Sequence, residues 1–174
     1  MATTSDGGET WSKSHVGIPE MTADLAGHGR IAFADRSYGL MNISLTTGAS
    51  FRGAVQLKTV DGGKTWTFLP NGPGVAGEIL LLNDKDALLA GGPGDTELWT
   101  THDAGNTWQQ ISLPAPVDIG SANFRRYDIP VFKDRLSGFV PVTIQVEKGS
   151  SRQPCYSPRR MVTGPGKQTE YWLS

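Results

Sequence analysis

The amino-acid sequence predicts an all-β protein built from repeated antiparallel units, and three observations support this. The frame Thr-x-Asp-x-Gly-x-Thr-Trp, called the corner motif below, occurs at residues 4–11, 59–66 and 101–108. Between these copies, apolar and polar residues alternate with a period of two, which is the pattern of β-strands with one buried face. Glycine accounts for 22 of 174 residues, well above its usual share of roughly 7%. This composition suits short strands joined by many turns.

Each copy of the corner motif has a mechanical explanation. It lies between two strand-like runs, and its Gly can take the positive φ that a tight corner needs. The Asp carboxylate can accept hydrogen bonds from backbone N–H groups of its own corner, as in an Asx turn. The Trp opens the returning strand, where a buried indole hides about 150–250 Å² of surface. The predicted structural residues are Asp6, Gly8, Trp11, Asp61, Gly63, Trp66, Asp103, Gly105 and Trp108.

The three corner motifs resemble the Asp-box, or bacterial neuraminidase repeat. Sialidases, sortilin-type sorting receptors, two-propeller xyloglucan hydrolases and Asp-box photosystem II assembly factors carry this repeat. The resemblance implies a β-propeller of four-stranded antiparallel blades, with each corner at the hairpin between the outer two strands of a blade. It also implies that the corners lie at the periphery, away from the central mouth where ligands bind.

The elements follow in order along the chain. Residues 1–12 are predicted to be the end of one blade. Residues 29–70 form a predicted blade with strands at 31–35, 39–44, 54–59 and 65–69. Residues 77–113 form the next, with strands at 78–82, 87–90, 97–101 and 107–112.

A third unit is predicted at residues 127–174, with strands at 127–132 and 139–146. It repeats the pattern Phe-x-Asp-Arg-x-x-Gly of residues 33–39 at residues 132–138, and its stretch 163–172 resembles a degenerate Asp-box that kept Trp172. Residues 1–174 thus make a single partial propeller of about three blades with a leading hairpin. Because rings close with four to eight blades, we expect a piece of a larger propeller, or self-association of copies to close the ring.

Charge and hydropathy restrict the partners. The net charge is −1 and the pI is about 6.3, so we expect no nucleic-acid partner. The longest apolar runs, such as residues 79–82, are far shorter than the roughly 18 residues needed to cross a bilayer, so no membrane insertion is expected. We expect no signal peptide within this chain, and the resemblance implies an extracytoplasmic location. Its one cysteine, Cys155, rules out an internal disulfide.

No catalytic or cofactor motif is evident in the sequence. The three histidines are scattered, and no known metal or nucleotide motif is present, so no cofactor or metal is expected. The three corner aspartates fall on separate blades, and we interpret them as structural. Arg125 and Arg126 are candidate contacts for an anion or a partner, with solvated loop charges as the alternative. A sialidase would carry Arg-Ile-Pro before its first box, whereas the nearest string here is Asp128-Ile-Pro130.

Two functions are consistent with these patterns. The first is a non-catalytic propeller scaffold that binds a protein or an oligosaccharide. The alternative is a fragment of a sialidase-like or xyloglucanase-like glycoside hydrolase. Two carboxylates facing each other across the mouth at about 5 to 9.5 Å would favour the hydrolase, as would a cluster of arginines there.

Overall fold

The computed structural model describes residues 1–13, 16, 24–46, 53–113, 124–134, 137–145 and 158–159. These residues form short antiparallel strands and one 3₁₀ turn, Pro93–Asp95. A leading hairpin pairs β1 (Ala2–Thr3) with β2 (Ser12–Lys13). Among the described residues, no helix is long and apolar enough to cross a membrane. The predicted degenerate box at 163–172 lies outside this part of the chain.

The first complete blade is a four-stranded antiparallel sheet. Its strands are β3 (Asp24–Phe33), β4 (Gly39–Thr46), β5 (Ala54–Thr59) and β6 (Thr67–Leu69), in the spatial order of the sequence. The pairing of β3 with β4 is regular from Gly29 to Phe33 and shifts register between Leu25 and Gly29. The central strand β5 is almost wholly buried, as expected of a strand covered on both faces.

The second complete blade repeats this order. Its strands are β7 (Gly77–Leu81), β8 (Ala87–Gly91), β9 (Glu97–Thr101) and β10 (Gln109–Gln110). Both return strands, β6 and β10, begin later than the sequence predicts. The cause is local, because Thr65 and Thr107, where those strands were expected to begin, donate their backbone N–H groups to the corner aspartates.

The third unit is partial in the described residues. Strand β11 (Phe124–Tyr127) pairs with β14 (Val142–Gln145), and β12 (Val131–Phe132) pairs with β13 (Gly138–Phe139), which also pairs with β15 (Pro158–Arg159). The single strand predicted at 127–132 is therefore divided. Pro130 and Pro141 lie at the division, and a proline has no N–H to donate to a ladder.

Successive sheets stack face to face, with β7 lying against β3 and β4. We call the face of a unit toward the following unit its trailing face, and the opposite one its leading face. Tyr38, Leu40 and Leu69 on the trailing face of the first blade pack in one cluster with residues on the leading face of the second, among them Ile79, Leu81, Ala87 and Trp108. This cluster is called the blade interface below.

The turns separate into two sides. On one side, called the corner side, the corner motif of each complete blade bonds to the turn between the first two strands of that blade: Gly62 N–H donates to Ser37 O at 2.9 Å, and Ala104 N–H to Lys85 O at 3.0 Å. On the opposite connector side, the loop at Gly74 accepts from Ala54 N–H, and Ala76 O accepts from Gly92 N–H.

Strand order and stacking together confirm the predicted fold class, an all-β propeller of four-stranded antiparallel blades. The described residues supply two complete blades and parts of two other units. That number is below the four to eight blades of a closed ring, so the propeller is incomplete.

Candidate functional site

The second corner motif is held by a closed set of hydrogen bonds. The Thr59 hydroxyl donates to Asp61 Oδ1 at 2.8 Å and accepts from the Gly63 N–H at 2.8 Å. Asp61 accepts from both the N–H and the hydroxyl of Thr65, at 2.9 and 2.6 Å. The Trp66 indole N–H donates to Gly63 O at 3.2 Å. The polar side-chain groups of Thr59, Asp61, Thr65 and Trp66 therefore each have a partner inside the motif.

The other two corners repeat this set of bonds. Asp6 accepts from the Thr10 N–H and hydroxyl at 3.0 and 2.5 Å, and Thr4 bridges Asp6 and Gly8. In the third corner Asp103 accepts from Thr107 at 2.8 and 2.6 Å, and Thr101 bridges Asp103 and Gly105. The first Thr of each frame thus joins the Asp and the Gly of its corner through its hydroxyl. Sequence reasoning missed this role, although all three copies carry the Thr.

Backbone conformation explains the glycine of the motif. Gly8, Gly63 and Gly105 take φ of +101°, +86° and +76°, values that glycine adopts with little steric cost. The residue before each glycine is also at positive φ, and in the third corner this residue is Ala104, at +60°. The third corner therefore holds a non-glycine residue in a strained conformation.

The three indoles differ in burial although their motifs are alike. Trp66 is 6% exposed, Trp108 is half-buried, and Trp11 is 63% exposed. The expected burial of the indole is therefore met at Trp66 and is wrong for Trp11. The reason is tertiary: Trp66 packs with Met41, Val55 and Leu57 of its own four-stranded sheet, whereas Trp11 lies between the strands of a two-stranded hairpin.

Hydrogen bonding fixes the charge state of the corner carboxylates. The Thr65 hydroxyl and N–H hold the pKa of Asp61 at about 2, below its ordinary value of 3.8. The Thr10 and Thr107 groups lower the pKa of Asp6 and of Asp103 in the same way. All three groups are ionised at neutral pH, and their lone pairs are directed into their own turns. This arrangement suits a carboxylate that stabilises a turn better than one that acts as a general acid.

Tyr38 is a further candidate for chemistry, because sialidases use an activated tyrosine as nucleophile. It is 7% exposed, and burial, together with the charges of Asp84 and Asp103, raises its pKa to about 12. The phenol is therefore protonated at neutral pH, which is the opposite of the activation that a nucleophile needs.

The connector side carries a mixed charged and aromatic surface where β11 lies against β9 and the 3₁₀ turn. The Arg126 guanidinium Nε lies 3.4 Å from an Asp95 carboxylate oxygen and 3.5 Å from one of Asp128. On β9, which β11 contacts, the Trp99 indole N–H donates to Glu97 at 2.8 Å. These five residues, called the connector surface below, contribute three carboxylates and one guanidinium.

The structure describes the side chain of only one of the two candidate arginines. Arg126 lies on the connector surface between two carboxylates, so an anion would have to displace one of them. The backbone of Arg125 pairs with Ile144 in β11 and β14, and its side chain lies outside the described part of the structure. The structure therefore places one of the two predicted contact residues at a surface, already engaged with Asp95 and Asp128.

Two amide side chains lie buried between the blades near the connector side. Asn42 and Gln56 are cross-strand partners, each 2% exposed. Asn42 Nδ2 donates to Val75 O at 3.2 Å and Gly77 O at 3.0 Å, which ties the first blade to the entry of the second. Within the described residues, no group of three or more His, Cys, Asp or Glu side chains is placed to hold a metal ion.

Comparison with known proteins finds similar structures, among them two of YCF48. No family model matches the chain, and no curated protein matches its sequence. The chain is similar to YCF48 from Cyanidioschyzon merolae, at 18% identity and a TM-score of 0.45, over 84% of this chain and 39% of that one. It is also similar to a YCF48 bound to a D1 peptide, at 16% identity and a TM-score of 0.32, over 81% of this chain and 56% of that one. The chain thus spans less than two thirds of the length of either structure.

Proposed function

We propose that this chain is a non-catalytic Asp-box propeller scaffold that binds a protein partner through its connector surface. The observation that carries the proposal is the Arg126–Asp95–Asp128 cluster, formed where β11 contacts the 3₁₀ turn and the strand β9 that carries Trp99. Arginine and tryptophan are the residue types that contribute most to protein interfaces. The surface also holds more carboxylates than cations, which favours a partner with basic or hydrogen-bond-donating groups.

The same geometry disfavours the glycosidase alternative. A hydrolase keeps the space between its two carboxylates open for the glycosidic oxygen and the attacking group. Here the guanidinium of Arg126 fills the space between Asp95 and Asp128. Polypeptides rather than neutral glycans supply the cations that the excess of carboxylates would attract, so the proposal names a protein and not an oligosaccharide.

Isothermal titration calorimetry can test this proposal with three probes: a D1 peptide, sialyllactose and a xyloglucan oligosaccharide. The D1 peptide is chosen because one structure of similar fold contains it. We expect saturable binding of the peptide, weakened at least tenfold by the double variant Asp95→Asn, Asp128→Asn. Asp84→Asn is the matched control, because Asp84 is exposed in a turn of the corner side.

The control variant should bind the peptide as the unchanged chain does, and added salt should weaken binding because the surface is solvent-exposed. Binding or hydrolysis of either glycan without binding of the peptide would refute the proposal. Peptide binding that is indifferent to the double variant would refute the connector surface as its site.

A further inference from the structure

The loop that joins the two complete blades carries the dipeptide Asn71-Gly72. An asparagine before a glycine is open to attack by its own backbone, because the next backbone nitrogen can reach the side-chain carbonyl carbon and glycine has no Cβ in the way. Asn71 is exposed in the turn that follows β6. Among the described residues, no hydrogen bond holds its side chain. Asn71 therefore has both the sequence and the surroundings that this reaction needs.

The other asparagines in the described part of the chain are held in place. The Asn83 amide donates to Asp86 Oδ2 at 2.6 Å and accepts from two backbone N–H groups of its own turn. The Asn106 amide is bonded to a lysine and to a backbone carbonyl. Asn42 is buried and donates to two backbone carbonyls. None of these three residues precedes a glycine.

Two aspartates, Asp6 and Asp61, also precede a glycine, and the corner bonds protect both of them. Both oxygens of each carboxylate accept hydrogen bonds, from Thr10 in the first corner and from Thr65 in the second. An ionised carboxylate is a poor electrophile, because it already carries the negative charge that an attacking nitrogen would bring. The same chemistry is thus blocked at the corners and open at Asn71.

We infer that Asn71 is a deamidation site in the loop that joins the first blade to the second. The Gly72 nitrogen attacks Asn71 Cγ, and its proton leaves with the side-chain amide as ammonia, which closes a succinimide ring. Water then opens the ring at either carbonyl and gives an aspartyl or an isoaspartyl residue. The reaction consumes only water and adds one negative charge. In the isoaspartyl product it also adds one carbon to the main chain.

The packing around Gly72 makes the added main-chain carbon destabilising. A Cβ on Gly72 would lie 2.5 Å from Gln56 Oε1, and Gln56 is 2% exposed. Two residues later, Gly74 O accepts from Ala54 N–H at 2.8 Å, which fixes the loop to β5. The loop is therefore held on both sides of the new carbon, and the carbon displaces Gly72 from its place against Gln56. We expect a lower free energy of unfolding for the isoaspartyl chain.

Peptide mapping by mass spectrometry tests the site on the intact, folded chain after incubation in warm, mildly alkaline buffer. We expect a mass gain of about one dalton at Asn71, at least ten times faster than at Asn83 or Asn106, which serve as internal controls. An isoaspartyl methyltransferase should label the same peptide. Asn71→Gln should abolish the gain, because its longer side chain would have to close a larger ring. Equal rates at the three asparagines, or reaction at Asn71 only in urea-unfolded chain, would overturn the inference.

A second measurement separates the effect of the added carbon from that of the added charge. Ion exchange isolates the reacted chains, and urea denaturation compares them with Asn71→Asp, which carries the charge on an unaltered main chain. Asn71→Asp should match the unchanged chain, because residue 71 is exposed, whereas the reacted chains should unfold at lower urea. Equal midpoints would show that the loop accepts the extra carbon and would refute the packing effect. Neither measurement uses a peptide or glycan ligand, so the proposed function can fail or hold separately.

Discussion

Trp66 and Trp11 are the most buried and the most exposed tryptophans of the corner motifs, and they offer a controlled test of what stabilises the blades. Trp66 and Trp11 occupy the same motif position and make the same indole hydrogen bond, to Gly63 O at 3.2 Å and to Gly8 O at 3.1 Å. They differ in exposure, 6% against 63%. Replacing each by alanine removes the same chemical groups, so the difference between the two variants isolates the contribution of burial.

The size of that difference follows from the exposed fractions. They differ by 57 percentage points, 63% against 6%, which is about 140 Å² of a tryptophan surface of about 250 Å². At about 25 cal/mol per Å², this area is worth about 3.5 kcal/mol. The figure is an upper value because unfolded chains already bury part of their apolar surface. We therefore expect Trp66→Ala to lower the free energy of unfolding by about 2 to 3.5 kcal/mol more than Trp11→Ala does.

Urea denaturation followed by far-ultraviolet circular dichroism measures this difference without relying on the fluorescence of the residues removed. It should be run at a protein concentration at which the chain is monomeric. Trp66→Phe gives an intermediate point if Trp66→Ala does not fold. Equal losses in the two alanine variants, or a larger loss for Trp11→Ala, would refute the argument that burial rather than the motif itself sets the stability.

Three other substitutions test the corners and the pairing of β7 with β8. Asp61→Asn should flatten the pH dependence of stability between about pH 4 and pH 2. The pKa of Asp61 is lowered to about 2 in the folded state. Its contribution to the free energy of unfolding is therefore complete above its ordinary pKa of 3.8 and is lost as the pH falls through the folded value. Urea midpoints from pH 2 to pH 7 measure this pH dependence. Thr59→Val should cost about 1 to 3 kcal/mol in urea denaturation, because it leaves the buried Gly63 N–H without its acceptor, whereas Thr59→Ser keeps the hydroxyl and should cost less. Gly91→Ala should lower the thermal midpoint, because a Cβ there would collide with the backbone of Ala76 and Gly77; Gly53→Ala, whose Cβ would meet its nearest atom at 3.7 Å, should have little effect.

Each of these expectations has a contradicting result. Stability curves for Asp61→Asn that run parallel to those of the unchanged chain down to pH 2 would show that this carboxylate does not set the acid sensitivity. A Thr59→Ser loss as large as that of Thr59→Val would assign the effect to packing of the methyl group. Equal midpoints for the two glycine variants would mean that β7 and β8 can separate at low cost.

The corner motifs are the part of this protein that sequence predicts best. Their bonds run between residues two to four positions apart, as in the bridge from Thr59 through Asp61 to Thr65. A frame of fixed residue types therefore specifies the turn wherever it occurs. The strands at 54–59 and 97–101 were likewise predicted with their observed bounds, because each leads directly into a corner.

Other features depend on residues distant in sequence. Arg126 stands out as part of an arginine pair, but its partner Asp95 comes from the turn of another blade, and no local pattern links the two. Asn42 likewise bonds to Val75 and Gly77 of the next blade. The division of the strand at 127–132 was missed, although Pro130 was visible, because the matching Pro141, between β13 and β14, lies across from it only in the folded chain.

The sequence by itself determined the three corners, the strand segments that lead into them and the all-β repeat architecture, because hydrogen bonds over two to four residues and a period of two are local properties. Only the tertiary structure decided which tryptophan is buried, which carboxylates surround Arg126, and which faces of the stack are covered. Burial depends on what packs against a residue from another blade. Identical motifs at Trp11 and Trp66 therefore end in opposite environments.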